Sequence, residues 1–322
     1  MAFDVTVVIL TFNGEEFLVD LLDSLKGQET QYSFEVLVID SGSKDATIDI
    51  VKKYDEVRLI EISNKDFGHG KTRNFAVEQS DSQFVAFLTQ DAVPAGPHWL
   101  DGLLEPFNLF EKVSCVFGKQ IPRPDCVVPV KREVDSVFRS FGDDASISIQ
   151  RKSEITKRFN IINAFMSDVN SAVRKECVLE VPFRDLNYAE DQALGTDHLN
   201  HGWMKAYAPL GSVYHSHSYP LNKFFKRKID ERIGVYEATR DIYEINAKGF
   251  IKGVISSTLK DWIFIFRDKH YSKRMKIANF FKSPAYNFAL FRCYWLTRKP
   301  ELHHKHRKHS LEAQTRSKLT QV

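Results

Sequence analysis

Asp91 ends an apolar run, "FVAFLT" plus Gln90, and is followed at once by Pro94, Gly96 and Pro97. A carboxylate at a strand end with a stiff turn behind it can hold a cation and loses little freedom on binding. Mg²⁺ typically takes only one or two protein carboxylates and leaves its other positions to phosphate and water, so a single aspartate suffices where a diphosphate supplies the rest. Glu190 and Asp191 are adjacent at the predicted start of a helix. An aspartate held there by N–H groups is expected to stay ionised. It then serves either as a base for an attacking hydroxyl or as a helix cap. His215 and His217, in "YHSH", alternate along an apparent strand and so face the same way. A neutral imidazole can complete a metal site opposite Asp91, although a lone histidine is more often structural.

Two further stretches carry polar chemistry. Asp40 ends a second apolar run and precedes Ser41, Gly42 and Ser43. It can accept hydrogen bonds from a nucleobase imide or a ribose, or it can cap its own loop. "FGHGKTRN" (67–74) places two glycines, Arg73 and an asparagine just before a helix. Backbone N–H groups at a helix start, with Arg73 beside them, favour a diphosphate. The GxxxxGK[ST] spacing of a P-loop is absent. The alternative is a surface turn with solvated charges.

The elements that must position these residues follow an alternating rhythm. "VTVVIL" (5–10), "FEVLVID" (34–40), "VRLIEI" (57–62) and "QFVAFLT" (83–89) read as strands, and helical patterns follow each of the first three. Asn13 reads as the cap of the first helix, a helix is expected over about 46–54, and "KTRNFAVEQS" reads as a third. This alternation predicts an α/β fold with a mostly parallel sheet flanked by helices. Ligands in such sheets bind at the carboxyl ends of the strands, where the loops 11–15, 40–45 and 89–94 fall. A strand near 115–121, a mobile polar loop near 142–155, a helix ending at Gly202, and two short strands, "MKAYAP" and "GSVYHSH", are expected next. Trp99 reads as core, with stacking on a ligand as the alternative. From about Pro220 to Pro300 the pattern turns helical, aromatic and basic.

The 322 residues are 43% hydrophobic and 27% charged, which excludes disorder as the general state. The four cysteines have no CxxC spacing, so neither a zinc ribbon nor a disulfide scaffold is expected, and a reducing cytosol fits. No secretory signal is visible, and no apolar stretch approaches the ~20 residues needed to span a bilayer. The net charge of +3 is uneven. From residue 251 onward there are 16 Lys and Arg against 4 Asp and Glu. Basic amphipathic helices favour anionic bilayer surfaces, and the aromatic helices could also pair two copies. A packing layer with a solvated basic face is the plainer reading. Nucleic acid is disfavoured, because no reader motif accompanies the charge. "HHKHRKH" (303–309) and the residues after it read as a disordered tail.

Taken in order, "VVILTFNGEEFL", "VLVIDSGSKDAT", the "G…TRN" helix, "FLTQDAVP" and the "ED" pair resemble the family 2 inverting nucleotide-sugar glycosyltransferases. Within that family the chain is most similar to bacterial rhamnosyltransferases, where "FGHGKTRN", "LTQDA" and "HSH" occur together. The resemblance spans roughly residues 4–220. It implies a GT-A (Rossmann-like) domain over 1–220 and a separate helical, basic C-terminal region over 221–322. It also implies nucleotide-sugar binding by Thr11, Asn13, Asp40, Ser41, Gly42, Arg73 and Gln90. Mg²⁺ or Mn²⁺ would be held by Asp91 with His215 or His217, the former favoured, and Asp191 would be the catalytic base. Thr89 stands where the family's D-x-D pattern has its first, ribose-touching aspartate, which suits a deoxyribose. The implied donor is therefore dTDP-β-L-rhamnose. The implied acceptor is a lipid-linked glycan, met at the inner face of the bacterial cell membrane during surface polysaccharide synthesis. A UDP-hexose or UDP-N-acetylhexosamine transferase is one alternative. A non-catalytic nucleotide- or glycan-binding relative is another, and Asp191→Asn separates it from an enzyme.

Overall fold

A computed structural model describes residues 3–152 and 165–307. The helices are α1 (Glu15–Lys26), α2 (Thr47–Val51), α3 (His69–Gln79), α4 (Trp99–Leu109), α5 (Val128–Arg139), α6 (Lys175–Glu180), α7 (Glu190–His201), α8 (Leu221–Thr239), α9 (Ala247–Arg267) and α10 (Lys273–Thr297). The chain divides into two compact units. The first comprises Met1–Ile121, Val137–Leu186 and Glu190–His215, and the second Pro122–Ser136, Asn187–Ala189 and Ser216–Val322. The second thus draws two short segments from upstream of residue 220, which a single cut in the sequence does not anticipate.

Among the described residues the first unit is built on a nine-stranded sheet. Its strands are β1 (Val5–Thr11), β2 (Phe34–Asp40), β3 (Val57–Glu61), β4 (Phe84–Thr89), β5 (Val93–Pro94), β6 (Val113–Ile121), β7 (Ser148–Gln150), β8 (Asn170–Arg174) and β9 (Met204–Tyr214). The spatial order is β3-β2-β1-β4-β8-β6-β9-β5, with β7 also paired to β9. β3, β2, β1 and β4 are parallel, as their β-branched, two-face-buried runs predict. Val5, Val7, Val8 and Ile9 of β1 have no exposed surface. Leu18, Leu21, Leu22 and Leu25 of α1 recur at helical spacing and are buried, each worth about 1.5–3 kcal/mol. The strand order reverses between β1 and β4, so a crevice opens at their carboxyl ends.

Beyond β4 the sheet is mixed. β8 runs antiparallel to both β4 and β6, while β6 and β9 are parallel. Several expectations are corrected here. The two short strands near 204–217 are one strand, β9, and both histidines lie past its end, so their shared direction cannot follow from strand alternation. Part of the expected loop at 142–155 is β7, antiparallel to β9; its last three residues lie outside the described ones. Asn13 does not cap α1. It sits at φ +48, and Gly14 holds the cap position. α2 is shorter than expected. Gly202, at φ +105, ends α7 as its sequence predicts. Trp99 is core: it is 1% exposed, and its Nε1 donates to Asn170 Oδ1 at 2.9 Å. All four cysteines are free and buried, and burial pushes the Cys115 thiol up to about 12.

In the second unit α9 and α10 lie side by side. Trp262 stacks on Phe280 with ring centroids 4.5 Å apart, and its Nε1 donates to the Phe280 carbonyl. Asn246 and Ser272 cap the two helices through their side chains. Among the described residues no helix is long and apolar enough to cross a membrane. His303–His306 form a short helical turn with His303 buried, its Nε2 2.9 Å from the Thr297 carbonyl. The rest of the expected tail, 308–322, lies outside the described residues.

Candidate active site

The loops that close the carboxyl ends of β1, β2 and β4 are stitched together by the residues the sequence singled out. Asp40 is 1% exposed and saturated. Its Oδ2 accepts from Thr11 Oγ1 at 2.8 Å and Ser43 Oγ at 2.6 Å, and its Oδ1 from the N–H groups of Gly42 and Ser43. Gly42 takes φ +89, which a side chain would strain. The Ser41 hydroxyl donates to the Thr11 carbonyl. Asn13 Oδ1 accepts from Lys44 N at 2.8 Å, tying the first loop to the second. Gln90 mimics a strand partner, its Oε1 accepting from Phe12 N at 2.8 Å and its Nε2 donating to Phe12 O at 3.3 Å. A Cβ on Gly14 would come within 2.4 Å of that amide oxygen, so a side chain there would displace Gln90 from Phe12. Thr11, Asn13, Asp40, Ser41, Gly42 and Gln90 therefore form one network. Their polar atoms shape the loops, and the loop-capping reading of Asp40 holds whatever else it touches.

A second group lies just past β4. Asp91 Oδ2 is 3.5 Å from Nε2 of His215. His215 Nδ1 is 3.0 Å from Gln120 Oε1, and Gln120 Nε2 donates to Ser167 Oγ at 2.9 Å. Gln120 Oε1 thus faces Nδ1 of the ring, and Nε2 faces the Asp91 carboxylate. An imidazole nitrogen opposite a carboxylate is the donor set of a divalent cation, with the far ring nitrogen fixed as metal-binding histidines require. Gln120 sits where the β6–β9 register slips, between Gly118 and Gln120, a bulge that re-aims side chains. His217 belongs to the second unit, two residues beyond His215. Gln120→Leu is expected to weaken Mn²⁺ binding about 10–100-fold, read by titration calorimetry without substrate. Gln120→Glu, which keeps an acceptor at Nδ1, should retain most of the affinity.

The third group surrounds Asp191. Arg73 is 6% exposed, and its Nε lies 2.9 Å from Asp168 Oδ2 and its NH1 2.6 Å from Glu190 Oε1. Burial works against its charge, but Asp168, Glu190 and Asp191 outweigh burial and hold the guanidinium protonated. Asp191 Oδ2 accepts from Asp168 N at 3.2 Å, and Oδ1 from Gln192 N at 2.7 Å. Burial, then the neighbouring Glu190 and Asp168, raise the Asp191 carboxyl well above the ordinary range, against the pull of Arg73. Burial and the two flanking carboxylates thus oppose the N–H groups that were expected to keep Asp191 ionised. Burial also pushes Asp168 up to about 6.

The structure shows a packing role for "FGHGKTRN" beside the diphosphate reading. A Cβ on Gly70 would meet the Arg184 carbonyl oxygen at 2.1 Å, and Asn74 exchanges two hydrogen bonds with the Phe183 backbone. The glycine and the asparagine serve close packing on the segment leading to Asp191, and Arg73 pairs with carboxylates beside it.

The second and third groups meet in one short segment. Ser167 holds Gln120, Asp168 holds Arg73 and Asp191, and the Val169 carbonyl accepts from Thr89 N at 3.2 Å, two residues before Asp91. Sequence reasoning missed Asp168, Ser167 and Gln120. A buried aspartate just ahead of the run "VNSAV" is a faint signal for the first. Nothing local marks the other two.

The description "Glycosyl transferase family 2" matches residues 6–181. The chain is 31% identical over 273 residues to the O-antigen chain rhamnosyltransferase RfbN of Salmonella typhimurium, covering 80% of this chain and 83% of that one. It is 32% identical over the same shares to the O-antigen chain rhamnosyltransferase WbaN of Salmonella anatum. Among solved structures it resembles the mannosyltransferase PcManGT from Pyrobaculum calidifontis in complex with GDP-Man and Mn²⁺. The TM-score is 0.58, with 16% identity over 93% of this chain and 89% of that one, a likeness of GT-A fold. The chain belongs to glycosyl transferase family 2 and is a glycosyltransferase.

Proposed function

We propose that the chain transfers L-rhamnose from dTDP-β-L-rhamnose to a hydroxyl of a lipid-linked glycan, with inversion, in the synthesis of a surface polysaccharide such as an O-antigen. The observation that carries the reading is the arrangement of a metal-type pair, Asp91 and His215, and a raised carboxyl, Asp191, joined through residues 167–169. The two Salmonella rhamnosyltransferases favour the sugar. Thr89, in place of a ribose-binding carboxylate, favours a deoxyribose.

The residues have separate tasks. The network of Thr11, Asn13, Asp40, Ser41, Gly42 and Gln90 shapes the nucleoside end of the cleft. Asp91 and His215, with His217 next along the chain, would hold Mg²⁺ or Mn²⁺. When bound, that cation stabilises charge on the departing diphosphate. Asp191 accepts the proton of the acceptor hydroxyl. The acceptor oxygen bonds to C1 of the sugar, the bond from C1 to the phosphate oxygen breaks, and its electron pair leaves with dTDP. Attack from the face opposite the diphosphate gives an α-linked product from a β-linked donor. Arg73, Asp168 and Glu190 position Asp191 and set the pH at which it accepts a proton. The enzyme works at the inner face of the cell membrane, which its C-terminal region meets.

The donor is tested by measuring binding of dTDP-rhamnose, UDP-glucose and UDP-N-acetylglucosamine in the presence of Mn²⁺. dTDP-rhamnose is expected to bind at least about tenfold more tightly than either, a difference of about 1.4 kcal/mol. Preference for a UDP-sugar overturns the rhamnose assignment and leaves the transferase intact.

A further inference from the structure

The C-terminal helices carry an apolar face that the described residues leave uncovered. On α9, Ile251, Ile255, Leu259, Ile263 and Phe266 are 50–73% exposed and fall on one stripe at helical spacing. On α10, Ile277, Phe281 and Phe288 form a second exposed stripe. The residues that pack α9 internally are others: Thr258, Asp261 and Ile265 are buried, and Trp262 stacks on Phe280.

Charge identifies what would cover the stripes. Between 247 and 300 the only two carboxylates are Asp261 and Asp268. Asp261 is fully buried, 3.2 Å from Arg132, and Asp268 is tied to Lys131 at 3.0 Å. Both acidic side chains are thus turned inward and neutralised. The exposed charge of this stretch is cationic throughout: Lys248, Lys252 and Lys260 line the α9 stripe, and Lys273 and Arg274 fall at helical spacing beside the α10 stripe. A stripe of isoleucine, leucine and phenylalanine among lysines, with no exposed acid, matches an anionic bilayer, whose acyl boundary takes the apolar side chains and whose headgroups take the ammonium groups. A second copy of the same face would set lysine against lysine with no acid to pair it.

We propose that the exposed faces of α9 and α10 lie in the plane of an anionic lipid surface, with Ile255, Leu259, Ile263 and Phe281 entering the acyl boundary. This rests on the reading that the acceptor is lipid-linked, and it specifies how the chain reaches it. The test is co-sedimentation of the full chain with vesicles of phosphatidylcholine alone or with about one third phosphatidylglycerol, without donor or glycan. Binding is expected to the anionic vesicles, at least about tenfold weaker on neutral ones and in high salt. The triple variant Ile255→Ser, Leu259→Ser, Ile263→Ser should lose at least about tenfold in affinity. These positions are exposed, so its thermal midpoint should stay within a few degrees of the parent's. Wild-type chain that remains in the supernatant overturns the proposal, as does a triple variant that binds like wild type. So does a dimer, seen by analytical ultracentrifugation, that the same substitutions split. Vesicle binding needs no sugar transfer, so its failure and a failure of the rhamnose assignment are told apart.

Discussion

Asp191→Asn is expected to lower the rate of transfer by about 10²–10⁴-fold, the range for removing a general base, while dTDP still binds. The amide keeps the size of the carboxylate and cannot take the hydroxyl proton. The pH profile is the sharper readout. As the proposed base, Asp191 has to be deprotonated, and its carboxyl is raised well above the usual range by burial and by Glu190 and Asp168. Activity is therefore full above that raised value and falls as pH drops through it, so the acid limb lies above the ordinary carboxylate range. Glu190→Gln removes one of the raising charges and should move the limb to lower pH. An acid limb that stays put in that variant assigns it to another group.

Asp91→Ala and His215→Ala are each expected to weaken Mn²⁺ binding and metal-dependent donor binding by more than Gln120→Leu does, because they remove the proposed ligands rather than the support of one. The expected loss exceeds about 100-fold. Calorimetry with Mn²⁺ alone, then with Mn²⁺ and dTDP, reads both losses. The network at Asp40 and Gln90 does not involve these side chains, so binding of dTDP without metal should change little. If either alanine variant binds Mn²⁺ as wild type does, the pair is an ordinary ion pair and the cation sits elsewhere.

Much of this was legible in the sequence where chemistry and chain order coincide. The β-branched runs of β1, β2 and β4 could be read because a strand buried on both faces needs apolar side chains at every position. Asp40, Asp91 and Asp191 could be read because each interrupts such a run or opens a helix. Long-range partners were not legible. Arg73 and "FGHGKTRN" carry the residue types of a phosphate site, yet Gly70 and Asn74 pack against residues 183–184, more than a hundred positions away. Gln120 owes its role to a bulge in the β6–β9 pairing, and Asp168 to the antiparallel insertion of β8. Local spacing encodes neither. His215 and His217 were read as strand neighbours because "GSVYHSH" alternates, but β9 stops at Tyr214. The cationic face of α9 and α10 was half legible: the excess of lysine is in the composition, whereas the inward turn of Asp261 and Asp268 needs the fold.

The most direct test of the whole account is the anomeric configuration of the sugar transferred from dTDP-β-L-rhamnose, read by NMR of the product formed on lipid-linked glycan with Mn²⁺ present. One displacement, with Asp191 accepting the proton across the ring from the diphosphate, predicts an α-linked rhamnose and no product once EDTA is added. A β-linked product, or equal transfer by the Asp191→Asn variant, contradicts it.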